Sequence, residues 1–414
     1  MPKQSSIETS TLQWIIPFVA VLFAMLMLQM SSLGFSPLLP SIQRDFHANY
    51  TEIGLFTGVY GLVAIILSVP AGYMARFWGE KAVLCLGLLI VALGLFVLSQ
   101  AQEFVLGFIG RVIWLIGYRL AFVCVMIAVA LTAPPRLKGS TMGIVGALSS
   151  LASVIGAPFG SQIEEIFNWR GAILAFAVLA LLGTAVFAFY YTRRPDAAMP
   201  VDAHGHVARA SVKGSSSRPA YKEPIVWVLA VTLGLLNVGG FTMTFFVPVV
   251  AKSIFKLGPM DGALIISTAY LAAMVANPIC GFLSDRTNRW NVMIGIAVLL
   301  IPSSLALLST KLPVFWIGAT ILVAMSLSAT SQVYAIAGAA LQGKETGPAM
   351  GIISLGAGVY GYLGPQMIGY LRDITGSFNT GFCMISGAAV IALIAMIALR
   401  RHSGHSQPRT GATV

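Results

Sequence analysis

Carboxylates are scarce in this chain. Asp and Glu number 14 in 414 residues against 25 Lys and Arg, and all charged residues together make up only 9%. A soluble domain carries about a quarter. With 57% hydrophobic residues and a mean hydropathy of +0.86, the composition excludes an ordinary soluble fold and implies a polytopic membrane protein. Cysteine is rarer still. Cys85, Cys124, Cys280 and Cys383 all lie inside apolar segments without metal-ligand spacing, so they read as small hydrophobes and no metal is expected. The five histidines, His47, His204, His206, His402 and His405, fall in loops or tails, which leaves no buried histidine relay in sight. The net charge of +11 does not point to nucleic acid, because the basic residues sit singly between apolar runs and form no patch.

Long apolar runs are plentiful. Stretches of the length needed to cross about 30 Å of hydrocarbon recur twelve times, near 14–39, 52–73, 81–99, 104–132, 141–163, 171–191, 225–250, 261–281, 291–309, 313–341, 348–371 and 378–399. The first is too long for a signal-peptide core and reads as a spanning helix. One long polar interval, 192–224, is rich in Ser, Pro, Ala and basic residues and has no hydrophobic period. It divides a first six-helix half, 1–191, from a second, 225–401, which is followed by a tail, 402–414.

The basic residues orient the chain. With both termini and the linker placed inside, 17 Lys and Arg fall on the inner side and 6 on the outer, with Arg111 and Arg119 inside the fourth span. That bias predicts cytoplasmic termini and a multi-pass protein of the cell inner (plasma) membrane. An internal repeat runs through both halves. Met142-Gly143-Ile144 with Gly156 is matched by Met350-Gly351-Ile352 with Gly364, at an offset of 208. Gly72-Tyr73-Met74-Ala75 is likewise matched by Gly281-Phe282-Leu283-Ser284. Six crossings return the chain to its starting side, so the repeat is parallel, about an axis normal to the membrane.

Polar residues are costly where they face lipid. Spans 3, 6, 9 and 12 carry almost none and are expected at the periphery; spans 1, 4, 7 and 10 hold Gln29, Arg119, Asn237 and Gln332 and are expected to line a central cavity. Arg119 lies near the bilayer midplane. An arginine at a helix centre costs about 2.5–3.5 kcal/mol on insertion scales, so it must face a wet cavity or a partner. All 14 acidic residues, Glu164 included, read as loop or helix-end residues. None is placed to neutralise Arg119, which leaves two readings: neutral hydrogen-bond partners such as Gln29 or Tyr118, or, as the sharper expectation, an anionic substrate gripped by the planar guanidinium. Gln29, Asn237, Tyr270, Asn277, Gln332, Tyr334 and Tyr360 complete this expected binding site, each with the alternative role of hydrogen-bonded glue between helices. Arg111, about two turns further out, either snorkels to the outer headgroups or serves the substrate or a gate.

Several sequences here resemble the Major Facilitator Superfamily of secondary transporters. Gly281-Phe282-Leu283-Ser284-Asp285-Arg286, followed by Arg289, is similar to that family's inner-loop motif G-x-L-x-D-R-x-x-R. Gly72 to Lys81 is a degenerate copy with Arg76 in the aspartate's place. Arg111 with Gly117 is similar to the family's fourth-helix motif, departing from it at Leu115, and Gly156-Ala157-Pro158-Phe159-Gly160 departs further from the antiporters' glycine-proline motif. The resemblance implies an all-α membrane fold of twelve transmembrane helices in two pseudo-symmetric six-helix halves. It also implies gating roles for Asp285, Arg286, Arg289, Arg76, Glu80 and Arg111. Physically, Asp285 suits a latch, a carboxylate at a helix end that pairs in one conformation only.

The expected function is transport of a small organic or inorganic anion by alternating access, with the lipid bilayer as surroundings, no cofactor and a monomeric chain. Coupling is left between anion exchange, facilitated diffusion and symport in which a proton travels with the anion. Glu52 and Asp261 are the remaining protonation candidates. Proton-driven efflux of drugs or other amphiphiles is the alternative, opposed by the lack of a cavity carboxylate. A membrane enzyme or sensor finds no nucleophile–base arrangement, phosphate loop or appended domain to support it.

Overall fold

The computed structural model describes residues 3–132, 138–191, 220–340 and 346–404. Among these, regular structure is entirely helical: α1 (Lys3–Gly34), α2 (Leu39–Asp45), α3 (Tyr50–Trp78), α4 (Glu80–Gln100), α5 (Phe104–Thr132), α6 (Lys138–Tyr190), α7 (Pro224–Phe255), α8 (Pro259–Arg286), α9 (Arg289–Ala306), α10 (Leu312–Ala340), α11 (Thr346–Thr375) and α12 (Asn379–Gly404). We call the end carrying Asp45, Tyr50, Asn168 and Asp373 the upper end, and that carrying Trp78, Tyr191, Pro224 and Arg286 the lower end.

The helix boundaries have local causes. Asn49 accepts from the Glu52 amide at 2.7 Å, and Glu52 accepts from the Asn49 amide at 2.8 Å, a reciprocal cap that starts α3. At α8, Pro259 occupies the first turn and Asp261 accepts from Gly258 N–H at 3.1 Å. Glu52 and Asp261 are thus helix caps. Gly79, at φ 83°, turns the chain sharply from α3 into α4. Within α6, Asn168 leaves the helical region (φ 67°, ψ 175°). Its side chain accepts from the amides of Arg170 at 2.9 Å and Gly171 at 3.2 Å, ending one helical run and capping the next.

Among the described residues, ten stretches are long and apolar enough to cross a membrane, Ala147–Tyr190 counting as one of them at 44 residues. The expected twelve crossings are reached only by dividing α6 at Asn168 and adding α11, a 30-residue helix outside those ten. Glycines lower the hydropathy of α11 and serve its packing instead.

Packing carries the internal repeat down to single contacts. A Cβ on Gly156 of α6 would stand 3.0 Å from Met30 O and 3.5 Å from Gly34 N of α1. A Cβ on Gly364 of α11 would stand 2.5 Å from the Thr242 hydroxyl and 2.8 Å from Val238 of α7. Each of these pairs, 156 and 364, 30 and 238, 34 and 242, is separated by the same 208 positions. The same closeness joins the halves where α3 meets α11: a Cβ on Gly61 would lie 2.4 Å from Gly358 O. Small residues let these backbones approach, which in a bilayer is a main source of helix association.

Hydrogen bonds also cross between the halves. Asp373 accepts from Tyr50 N–H at 3.1 Å, Thr51 N–H at 2.7 Å and the Thr51 hydroxyl at 2.6 Å. Ser36 donates to Thr244 O at 2.5 Å, Ser161 to Pro259 O at 3.3 Å and Ser267 to Val154 O at 3.0 Å. Each of these lies at the level of the central cavity or above it, so the upper end is sealed. Exposed apolar residues on α4 (Leu89, Leu93), the later part of α6 (Leu181, Leu182), α9 (Val298, Leu299) and α12 (Ile391, Ile394) form the outer, lipid-compatible surface expected of those spans.

Candidate functional site

A cavity of about 330 Å³ lies between the halves. Its walls are Gln29 and Ser32 of α1, Tyr60 of α3, Tyr118 of α5, Ser149, Ser150 and Ser153 of α6, Phe241, Thr244 and Phe245 of α7, Tyr270 and Asn277 of α8, and Leu327 and Thr330 of α10, with Leu33. Spans 1, 4, 7 and 10 line it as expected, joined by spans 2, 5 and 8. Every one of these lining residues is formally neutral.

The polar groups form a connected wall. Tyr118 donates its hydroxyl to the Gln29 side-chain oxygen, with Tyr60 and Ser32 in hydrogen-bonding reach of the same phenol. Tyr60 stacks obliquely on Phe241 at 5.3 Å between ring centroids, so first and second halves touch across the cavity. Thr330 donates to Asn237 Oδ1 at 3.1 Å, while Asn237 Nδ2 donates to Leu233 O at 3.0 Å. Asn277 Oδ1 is buried without a protein partner. A buried amide oxygen left in this way is available to a donor on a ligand or to water.

Of the expected binding residues, Gln29, Tyr270 and Asn277 line the cavity and Asn237 stands one hydrogen bond behind it. Gln332 is buried behind the lining on α10, its Oε1 unpartnered. Tyr334 shares a 2.7 Å hydrogen bond with Ser354 of α11, and the Tyr360 ring packs onto Gly234 of α7. Those three belong to helix contacts rather than to the cavity wall. Tyr60 and the serines of α6 are additions that polar-residue counting did not select.

The two arginines occupy unlike settings. Arg119 follows Tyr118 on α5 and is half-buried. Its Nε and Nη2 donate to the Ser68 hydroxyl of α3 at 2.9 and 2.5 Å, and its guanidinium lies 5.9 Å from the Phe122 ring centroid. Arg119 is not itself part of the cavity lining, but Tyr118 feels its charge. Arg111 is completely buried, so burial rules out snorkelling to the headgroups. Its carbon Cζ sits 4.3 Å from the Phe35 ring and 4.1 Å from the Trp114 ring, and Nε donates to Phe56 O at 3.4 Å. Nη1 and Nη2 have no protein partner. Stacked aromatic faces offset part of the desolvation of this cation.

The other expected gating residues lie at the lower end. Glu80 is buried and accepts from the Tyr191 hydroxyl at 3.0 Å, while Lys81 donates to Tyr191 O at 2.9 Å. This first motif copy therefore ties the start of α4 to the end of α6. Arg286 stacks on Phe282 at 4.1 Å, and Arg289 opens α9 behind the Asn288 cap. The side chains of Arg76 and Asp285 lie outside the described residues.

One carboxylate departs from its expected place. Glu164, assigned from sequence to a helix end, is only 9% exposed, because α6 continues past it to Asn168 and the segment around Ser41 covers it.

Known proteins share this fold. The family profile of the Major Facilitator Superfamily matches residues 20–332 and 254–413. NarT of Staphylococcus haemolyticus, named for nitrate transport, is 24% identical over 368 residues, covering 87% of this chain and 90% of its own. A protein of Agrobacterium vitis named for tartrate transport is 24% identical over 416 residues, covering 94% and 90%. Among solved structures, a mutant of the nucleoside transporter NupG superposes with a TM-score of 0.75 at 13% identity, covering 92% of this chain and 99% of its own. A bacterial homolog of the lysosomal transporter Spinster, inward-facing and occupied, gives 0.70 at 16%, covering 92% of each. Those structural likenesses concern the fold. The profile match over nearly the whole length, together with the paired helical halves and the cavity between them, makes this chain a multi-pass membrane protein belonging to the Major Facilitator Superfamily.

Proposed function

We propose that the protein is a secondary transporter carrying a small organic or inorganic anion across the inner (plasma) membrane by alternating access, with the lower end and both termini in the cytoplasm. The observation that carries this reading is Arg119, a cation beside the cavity whose hydrogen-bond partner is the neutral Ser68 hydroxyl. A hydroxyl satisfies donors without cancelling charge, so an oxyanion entering the cavity meets an uncancelled positive charge beside its wall and gains a charge-assisted contact when the guanidinium turns from Ser68 toward it. Gln29, Tyr118, Tyr270 and Asn277 orient it by hydrogen bonds. Relatives named for nitrate and tartrate transport, at 24% identity, support the anionic class. The sealed upper end then corresponds to closure toward the outside, and Asp285, Arg286 and Arg289 latch the lower end in the opposite state. Drug cations are disfavoured, since no carboxylate is among the described residues that line the cavity.

The test is anion binding to purified wild type, Arg119→Lys and Arg119→Gln, with nitrate, tartrate and phosphate as ligands. Lys keeps a point charge and loses the fork; Gln loses both. Affinity is expected to fall in that order. A charge-assisted hydrogen bond contributes about 1.5–3 kcal/mol, so the Gln variant should bind on the order of ten to a hundred times more weakly. Undiminished binding by Arg119→Gln would remove Arg119 from the site.

A further inference from the structure

Above the cavity lies a second, larger recess of about 510 Å³ at the upper end. Its walls include Arg44 of α2 and Tyr50 of α3 from the first half, and Lys252, Ser253 and Lys256 at the end of α7 from the second. From Phe245, which lines the cavity, to Lys252 is seven residues along α7, roughly 10 Å at the helical rise. Between the two spaces stands a plug: residues 34–39 of the first half and 246–248 of α7 are all buried or nearly so. The recess is therefore the closed upper mouth of the same path.

Its electrostatics are one-sided. Three cations border it, and the nearby acids are engaged elsewhere. Asp45 accepts from Trp169 Nε1 and Arg170 Nη1, each at 2.7 Å, the one ion pair among the described residues. Asp373 is bound to the start of α3. Among the described residues, Glu164 is the carboxylate that interacts with both Arg44 and Lys252; it is buried and its Oε2 has no hydrogen-bond partner. The charged residues in the recess wall itself are thus three cations, Arg44, Lys252 and Lys256, with Glu164 and Glu165 behind them. The backbone adds a second sign. Lys256 ends α7 in the left-handed region at φ 58°, a position that glycine or asparagine fills with less strain. The chain keeps a cation there, on the recess wall, with Nζ donating to Ser253 O at 3.1 Å.

We propose that this recess is a second anion site, an upper station for a small oxyanion or carboxylate, bridging Arg44 of one half and Lys252 and Lys256 of the other. It rests on the anion reading above. Bound there, the anion is concentrated at the mouth of a path whose plug is closed, and a cleft with one sign of charge raises encounter rates by about 10–1,000-fold.

The experiment compares wild type with the triple variant Arg44→Gln, Lys252→Gln, Lys256→Asn, asparagine being chosen for its tolerance of positive φ. Membrane vesicles of both orientations carry the full-length chain, and initial uptake of radiolabelled tartrate and nitrate is followed against concentration and ionic strength. The triple variant should raise the apparent KM at the upper face about tenfold and flatten its salt dependence, leaving KM at the lower face unchanged. Charge-conserving Arg44→Lys with Lys252→Arg keeps the positive field and should retain the salt dependence that the triple variant loses. If the triple variant does not reach the membrane, the single substitutions serve, each expected to raise KM about threefold. An unchanged KM and salt slope in a wild type that transports the anions overturns this site alone. A wild type that takes up neither anion overturns the anion reading and this site with it. An effect seen only in vesicles made with phosphatidylglycerol, and lost in pure phosphatidylcholine, would assign the recess to a lipid headgroup and also overturn the proposal.

Discussion

Asp373, near the end of α11, holds both the amide and the hydroxyl of Thr51 at the start of α3, at 2.7 and 2.6 Å. One carboxylate from the second half thus caps a helix of the first, where the helix dipole is positive. The contact exists only while the upper ends are together. Arg372, next in the chain, stacks on Tyr50 at 5.0 Å and reinforces the same seam.

Asp373→Asn is expected to weaken this seam without touching the cavity. Amide oxygen still accepts, but the charge is lost, at a cost of about 1 kcal/mol for an exposed helix-terminal carboxylate. The upper-open population should rise roughly fivefold. Labelling of a cysteine placed at Val249, in a background lacking the four native cysteines, would report it; no change in labelling rate would show that the seal lies elsewhere.

Arg111→Met tests why a buried cation is kept. Its two terminal nitrogens have no protein partner, and replacing an uncompensated buried charge with an apolar side chain of similar length is commonly neutral or stabilising. The variant should keep or raise its thermal midpoint while transport falls at least tenfold. A variant too unstable to purify would instead make Arg111 a structural strut between Phe35 and Trp114.

Asp285→Asn should slow interconversion while leaving ligand-induced thermal stabilisation intact, because its place at the end of α8 is far from the cavity. Loss of binding in a folded protein would contradict the latch. The orientation itself is open to a separate check: cysteines at Ser215 and His405 should resist an impermeant thiol reagent added to sealed cells, as the 17-to-6 distribution of basic residues requires. Labelling of both from outside would invert the molecule.

Much of the fold was legible because hydrocarbon tolerates few sequences. The fourth span, 104–132, coincides with α5, and the 208-residue offset reappears as glycine contacts between α1 and α6 and between α7 and α11. The break between spans 5 and 6 was visible as a gap in hydropathy, but its turn is made by one asparagine, with no proline to mark it. Residues that line the cavity were legible when their polarity is hard to hide. Gln29 and Asn277 stand out in apolar sequence. Ser153 does not, since it satisfies its hydroxyl on Ser149 O of its own helix, and Tyr60 is hidden by the apolar body of its ring. For Arg111 the depth along α5 could be read from spacing; which face it occupies could not, because that depends on Phe35 of a helix turn far away in sequence.

The seal at the upper end is written mostly on the main chain. Ser36, Ser161 and Ser267 each donate to a carbonyl oxygen of the opposite half, and Asp373 takes two backbone amides as well as one hydroxyl. Carbonyls and amides are not encoded by side-chain identity, so one partner in nearly every bond is out of reach of substitution. Descendants of this gene are therefore free to vary Thr244 for the sake of what the cavity accepts, while its carbonyl goes on closing the gate above in the same register.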